Sequence, residues 1–261
     1  MLSALRYITG YGPSDAAGGT GGFGSTDLAG TSYTHGYSNG YDQVTVVDDE
    51  DDVLSAVKSG SMNALRFLLS DGADAKITDE VGRTALHVAV RKGRVDMISV
   101  LVGGGCEVNA KDKHGYTPLH LAAASGNAAI AWKLLELGAE VEATDCEGKT
   151  PMHVACCGSY DLDRLAKLLE VLRILISKKP DLDFRDDEGL APIHIATMDG
   201  NIEAVQILLA AGANRALPDK HDRRPFDIAT QRGFRRIINI LTNEDNKAQV
   251  SKLKQYDKYL N

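Results

Sequence analysis

Apolar residues along most of this chain fall in short runs at helical spacing, closed by glycine. Val53, Leu54, Ala56 and Val57 come first, behind the acidic run Asp48–Asp52 and ahead of Gly60. Carboxylates before an apolar run favour the positive end of a helix dipole, so a helix is expected there. Asn63–Leu69 reads as a second helix, stopped at Gly72 in the left-handed conformation that glycine tolerates. The pair of runs then recurs. Thr84-Ala85, Thr117-Pro118 and Thr150-Pro151 open first helices; proline suits a first turn because its missing N–H is not needed there. Gly93 and Gly126 end two of them, and Val95–Val102 and Ala128–Leu137 form the second helices. Farther along, Leu162, Leu165, Ala166, Leu168, Leu169, Leu172 and Ile176 keep a helical period over a longer stretch. Over 244–260, Val250, Leu253 and Leu260 are spaced like a weak amphipathic helix.

One string marks each return. Gly82-Arg83-Thr84-Ala85-Leu86-His87 is followed 33 residues later by Gly115-Tyr116-Thr117-Pro118-Leu119-His120. Another 33 residues on stands Gly148-Lys149-Thr150-Pro151-Met152-His153. Gly189-Leu190-Ala191-Pro192-Ile193-His194 comes 41 later, and a worn copy, Asp222-Arg223-Arg224-Pro225-Phe226-Asp227, follows after 33 more. Such a period specifies a repeat array. Each unit cannot bury its own apolar face, so neighbours stack and leave a long open surface.

These strings resemble the ankyrin repeat, whose period and Thr-Pro-Leu-His-x-Ala signature they match. Gly72-Ala73-Asp74, Gly138-Ala139-Glu140 and Gly212-Ala213-Asn214 add a second signature in phase. The resemblance covers about residues 49–245, or about six repeats, with caps near 49–81 and 222–245. It implies an all-α solenoid of stacked helix–turn–helix units with β-turn fingers, and protein binding rather than catalysis. The interval of 41 marks eight residues added within 148–188. They are expected to lengthen the second helix from near Asp161, with Asp161 or Asp163 as its cap, and to protrude from the helical layer. Arg223, Arg224, Arg232, Arg235 and Arg236 give the last repeat the polar outer face a terminal unit needs.

Composition separates the two ends from this array. Residues 1–47 form an arm of different texture: ten glycines lie in the first 40 positions and five of the nine tyrosines in the first 41. Alone, such a segment buries too little apolar area to offset its ordering entropy, and disorder is expected. Tyr7, Tyr11, Tyr33, Tyr37 and Tyr41 recur in Tyr-x-x-Gly-Tyr elements, which place aromatic contact area on a tether. Residues 246–261 read as a polar tail or helix. The net charge of −7 is spread unevenly: −7 over 1–57, −5 over 58–222 and +5 over 223–261. No apolar run reaches the roughly 20 residues of a membrane span, and Met1–Thr9 lacks the apolar core of a signal peptide. Four cysteines without framework spacing fit a reducing setting, so an intracellular, cytoplasmic location is expected.

Candidate chemistry is sparse, and no catalytic residue, cofactor or metal is expected. His87, His120, His153 and His194 share a phase, but stacking sets them about 10 Å apart, whereas zinc needs ligands about 2 Å from one centre. The ankyrin resemblance implies instead that each bonds its own repeat's threonine and a neighbouring carbonyl. Thr84, Thr117 and Thr150 are in place, whereas Ala191 lacks the hydroxyl. Gly19-Thr20-Gly21-Gly22-Phe23-Gly24 matches a dinucleotide pattern without the strand that would make it function. Cys156-Cys157 replaces two small residues and reads as packing.

By the same resemblance, partners meet the face made by fingertips and first helices. Its candidates are Arg83, Arg91, Lys92, Lys113, His114, Tyr116, Lys149, Leu190, Met198, Arg223 and Arg232. Tyr116, Leu190 and Met198 carry the most weight, as aromatic and apolar groups expected at exposed positions. Trp132 stands where sister repeats have Ser99 and Gln206; either the long helix covers it or it marks a second docking site, as the five arm tyrosines do. The expected function is a non-catalytic scaffold or adaptor in a larger assembly; the alternative is a regulatory or inhibitory subunit. Protein partners are expected, with no small-molecule substrate, nucleic acid or membrane span.

Overall fold

The computed structural model describes residues 52–158 and 161–242, so the Gly/Tyr arm and the polar tail lie outside the described residues. Within them twelve helices follow one another in pairs. The pairs are α1 (Val53–Ser59) with α2 (Met62–Ser70), α3 (Ala85–Arg91) with α4 (Val95–Gly103), and α5 (Pro118–Ser125) with α6 (Ala128–Glu136). They continue as α7 (Pro151–Ala155) with α8 (Leu162–Ser177), α9 (Pro192–Met198) with α10 (Ile202–Ala211), and α11 (Pro225–Arg232) with α12 (Arg235–Thr242). First helices pack on neighbouring first helices and second on second, giving two layers. Among the described residues no strand forms, and no helix is long and apolar enough to cross a membrane.

Local chemistry starts the helices. Asp52 and Ser61 cap α1 and α2 by accepting from Ser55 and Ala64 N–H, and Asn127 and Asn201 do the same for α6 and α10. Each cap satisfies a helix N–H that has no intrahelical acceptor. Packing supplies the stability. Leu65, Leu86, Ile98, Leu101, Leu119, Ile130, Leu134, Leu172 and Ile193 are fully buried between neighbouring units. Burial of such a side chain contributes about 1.5–3 kcal/mol, and no single pair of helices could arrange it.

The repeat histidines tie one unit to the next. His87 Nδ1 accepts from Thr84 N–H at 3.1 Å and lies 2.9 Å from the Thr84 hydroxyl, while Nε2 donates to Tyr116 O at 2.9 Å. His120 repeats this with Thr117 and Lys149 O, and His153 with Thr150 and Leu190 O. Because a carbonyl only accepts, the proton belongs on Nε2, which leaves Nδ1 as the acceptor. His194 keeps the bond from Ala191 N–H at 3.1 Å but has no hydroxyl beside it, and its Nε2 donates to Leu217 O at 2.8 Å.

The eight added residues reshape the fourth unit. The first helix, α7, is cut to five residues, while α8 runs for 16 and is capped by Asp161. The freed carbonyls of Cys156 and Cys157 accept from the Asn201 amide at 3.3 and 3.4 Å. The extra turns do not stand clear of the layer. They lie back on the end of α5, where Arg164 donates to Ala124 O at 3.4 Å, and a Cβ on Gly126 would meet Lys167 Cβ at 2.7 Å. The expected protrusion is thus a cover over the preceding repeat, and the apolar Leu162 at its tip is 78% exposed. Cys156 is fully buried in this crowded region, where it fills space.

Two stability predictions follow from these contacts. Burial holds all four repeat imidazoles below their ordinary pKa, His153 down to about 4. The unfolded chain therefore binds more protons below about pH 6.5, and stability falls as pH falls, by up to about 1.4 kcal/mol per pH unit for each histidine. Urea unfolding between pH 7.5 and 5.0, above the carboxylate range, should show this decline; a flat profile contradicts it. Gly115 and Gly138 both have positive φ, at 78° and 91°. A Cβ on Gly115 would lie 2.6 Å from Cys146 N, whereas one on Gly138 meets nothing within 4 Å. Gly138→Ala should cost about 1–2 kcal/mol from backbone strain, and Gly115→Ala about 2 kcal/mol more in the same assay.

Candidate partner-binding surface

The fingers between helix pairs are built on one aspartate each. Asp79 Oδ1 accepts from Val81 and Arg83 N–H at 3.0 and 2.9 Å, and Asp112 does so from His114 and Tyr116 at 2.9 and 3.0 Å. Asp145, Asp186 and Asp219 repeat the pattern, each accepting from residues two and four positions on. The signal was present as Asp-x-x-Gly at 79–82, 112–115, 145–148 and 186–189, and sequence reading passed over it. Asp222 takes the glycine place in the last finger and still adopts a φ of 57°. Neighbouring fingers then bond backbone to backbone: Lys113 N to Val81 O, Cys146 N to His114 O and Asp187 N to Glu147 O, each at 3.0 Å. The row is therefore stiff, and its side chains are displayed at fixed spacing.

The structure sorts the cationic candidates into two groups. Arg83 donates to Asp79 Oδ2 from Nε and Nη2 at 2.7 Å, and Arg223 holds Asp219 in the same way at 2.8 and 2.7 Å. Burial alone would raise these two carboxyls, but the arginine bonds outweigh it and hold them below the usual range. Lys149 is bonded to Glu147, and Lys113 Nζ donates to Glu80 O at 2.6 Å. These four cations brace fingers. Arg91 and Lys92 at the end of α3, and Arg232 at the end of α11, are exposed and form no ion pair or side-chain hydrogen bond among the described residues.

The apolar candidates also divide. Tyr116 is half-buried; its ring lies 6.1 Å from that of exposed His114 and 5.9 Å from that of His120. Burial, then the charges of Asp145, Glu147 and Asp112, push its hydroxyl up to about 12, so it stays a neutral donor. Met198, at the end of α9, is half-buried. Leu190 corrects the expectation: it is only 4% exposed. It follows Gly189 where other fingers have Arg83, Tyr116, Lys149 and Arg223, and with no polar tip to carry outward it packs into the core. Without a guanidinium at this place, Asp186 Oδ2 is buried without a partner, and burial raises its pKa.

Trp132 remains 42% exposed on α6, so the long helix does not bury it. Its Nε1 donates to Glu136 at 2.9 Å, and Lys178, just after α8, stands 4.9 Å above the ring. Tyr7, Tyr11, Tyr33, Tyr37 and Tyr41 lie outside the described residues. Both nitrogens of each repeat histidine are hydrogen-bonded, and no group of three His, Cys, Asp or Glu gathers among the described residues. Burial pushes the thiols up, Cys106 to about 11 and Cys157 to about 12, so neither is disposed to act as a thiolate.

The chain belongs to the ankyrin-repeat family. The family profile described as ankyrin repeats (three copies) matches residues 53–145 and 163–252, and the gap between the matches holds α7 and the start of α8. Over 78 residues, 30% of this chain, it is 33% identical to protein phosphatase 1 regulatory subunit 27 of Mus musculus, and the match spans 51% of that protein. Ankyrin repeats are protein-interaction modules, and the chain shares that coarse role.

Leu190→Ala should behave as a core truncation and lower unfolding free energy by about 2–4 kcal/mol. Lys92→Glu, on the open surface, should stay within about 0.5 kcal/mol. Urea denaturation compares them, and a neutral Leu190→Ala would contradict the buried placement.

Proposed function

We propose that this chain is a non-catalytic scaffold or adaptor that binds a protein across its fingers and the ends of its first helices, as a subunit of an intracellular, cytoplasmic assembly. The observation that carries this reading is the division of labour among the cations. Aspartates, glutamates and carbonyls hold Arg83, Lys113, Lys149 and Arg223 within the finger row, while Arg91, Lys92 and Arg232 remain available beside it. His114, Tyr116 and Met198 add partly exposed aromatic and apolar area to the same face. Interfaces of this kind are anchored by a few such residues inside a polar rim.

A second reading, a regulatory subunit that masks an enzyme, has one specific support: the relative named as a phosphatase regulatory subunit. Direct titration with the catalytic subunit of protein phosphatase 1 tests it; absence of both binding and any change in phosphatase rate would remove that support.

Affinity capture with quantitative mass spectrometry tests the scaffold reading. The variant Arg91→Glu/Lys92→Glu/Met198→Ala should lose the captured partners at least tenfold, while deletion of residues 1–47 leaves them. Equal capture by the triple variant sinks the reading, and loss only on deletion moves the binding function to the arm.

A further inference from the structure

The last helix carries cations at its first two positions, where its sisters carry acids or neutral residues, although α4, capped by Arg94, also lacks a side-chain acceptor. Ser61, Asn127, Asp161 and Asn201 open second helices with a side-chain acceptor, and α4, α8 and α10 carry Asp96, Asp163 and Glu203 in their first turns. Phe234 stands before α12 with no acceptor to offer, and Arg235 and Arg236 fill its first turn. Cations at that end oppose the helix dipole. A terminal cap needs polar groups there for solubility, and acids would serve while also stabilising the helix. The local rule is broken where a cavity opens. Gly200, Ile202, Gly233, Phe234, Arg235, Arg236 and Ile237 line a shallow, mainly apolar hollow of about 290 Å³. Phe234 forms part of it by lying against Gly200, where a Cβ would meet the ring at 3.2 Å. Neither Arg235 nor Arg236 makes an ion pair or side-chain hydrogen bond among the described residues, and both are exposed. Arg223 and Arg224, by contrast, are bound to Asp219 and Asp227.

We propose that this hollow at the C-terminal cap is a docking site for a partner peptide that places an apolar side chain against Phe234 and Ile202, over the buried Ile237, and a flanking carboxylate on Arg235 and Arg236. The arginine pair gives the charge complementarity, since two guanidinium groups unpaired among the described residues, beside an apolar floor, select an acidic-hydrophobic segment over a basic one. The site deepens the scaffold reading by naming a partner chemistry, and it is separate from Arg91, Lys92 and Met198. Failure of one therefore leaves the other testable.

The probe is a fluorescein-labelled peptide carrying Asp-Leu-Asp-Asp between Gly/Ser flanks, with Asp-Ala-Asp-Asp and Lys-Leu-Lys-Lys versions as controls. On full-length ¹⁵N-labelled protein, the Leu peptide should shift the amides of Gly200 and Gly233–Ile237; the Ala version should bind at least fivefold more weakly and the Lys version not at all. Arg235→Glu/Arg236→Glu should lose at least tenfold in affinity while its Tm rises by about 1–3 °C, because acids now complement the helix dipole. A merely solubilising pair would not produce that opposition. The proposal is overturned by no shift at millimolar peptide, by equal binding of either control, or by unchanged affinity in the double variant. Stronger binding of a 12-nucleotide single-stranded DNA at 150 mM salt would also overturn it, since the cations would then serve phosphates.

Discussion

A neutral imidazole shared between two repeats is the contact on which the rest of this structure depends. Its Nδ1 reads the start of its own first helix, and its Nε2 reaches the next finger at Tyr116, Lys149 or Leu190. One buried side chain thereby sets both the stacking distance and the position of the neighbouring finger. The arrangement works with one tautomer and one charge state, because a protonated ring would lose its acceptor and bring a charge into the core. Where Ala191 removes the threonine hydroxyl, the tie survives on fewer bonds and shifts to Leu217 O.

The same economy of hydrogen bonds explains the irregular unit. Eight added residues could have formed a loose excursion. Instead α7 gives up its last turn, Asn201 takes the freed carbonyls, and α8 lies back over α5 with Arg164 on Ala124 O. Helical backbone satisfies its own polar groups, so extending a helix is a cheap way to absorb an insertion in a packed layer. The array keeps its register on either side of the interruption, and the family profile matches 53–145 and resumes at 163.

Charge along the finger row is likewise governed by what each finger needs internally. An aspartate that already accepts two backbone N–H bonds has a second oxygen to satisfy, and Arg83 and Arg223 satisfy it. Leu190 cannot, and Asp186 is left with a buried, unbonded oxygen. Cations that look equivalent along the chain thus differ in availability: among the described residues Arg83 and Arg223 are held within fingers, whereas Arg91, Lys92 and Arg232 form no ion pair.

The periodic string and its flanking glycines determine the fold from the sequence alone, because every copy states the same local requirements: a turn, a helix start and an apolar face that needs a neighbour. The change of interval from 33 to 41 is equally plain, and Leu162 to Ile176 show that helix absorbs it. What the extra turns would rest on, whether Trp132 would be covered, and which way Leu190 would face were decided only by tertiary packing. The first two depend on residues 40 and 46 positions away, Arg164 on Ala124 and Lys178 over Trp132. The aspartate of each finger was legible as Asp-x-x-Gly, but only the folded finger shows that its second oxygen holds Arg83 and Arg223 in place.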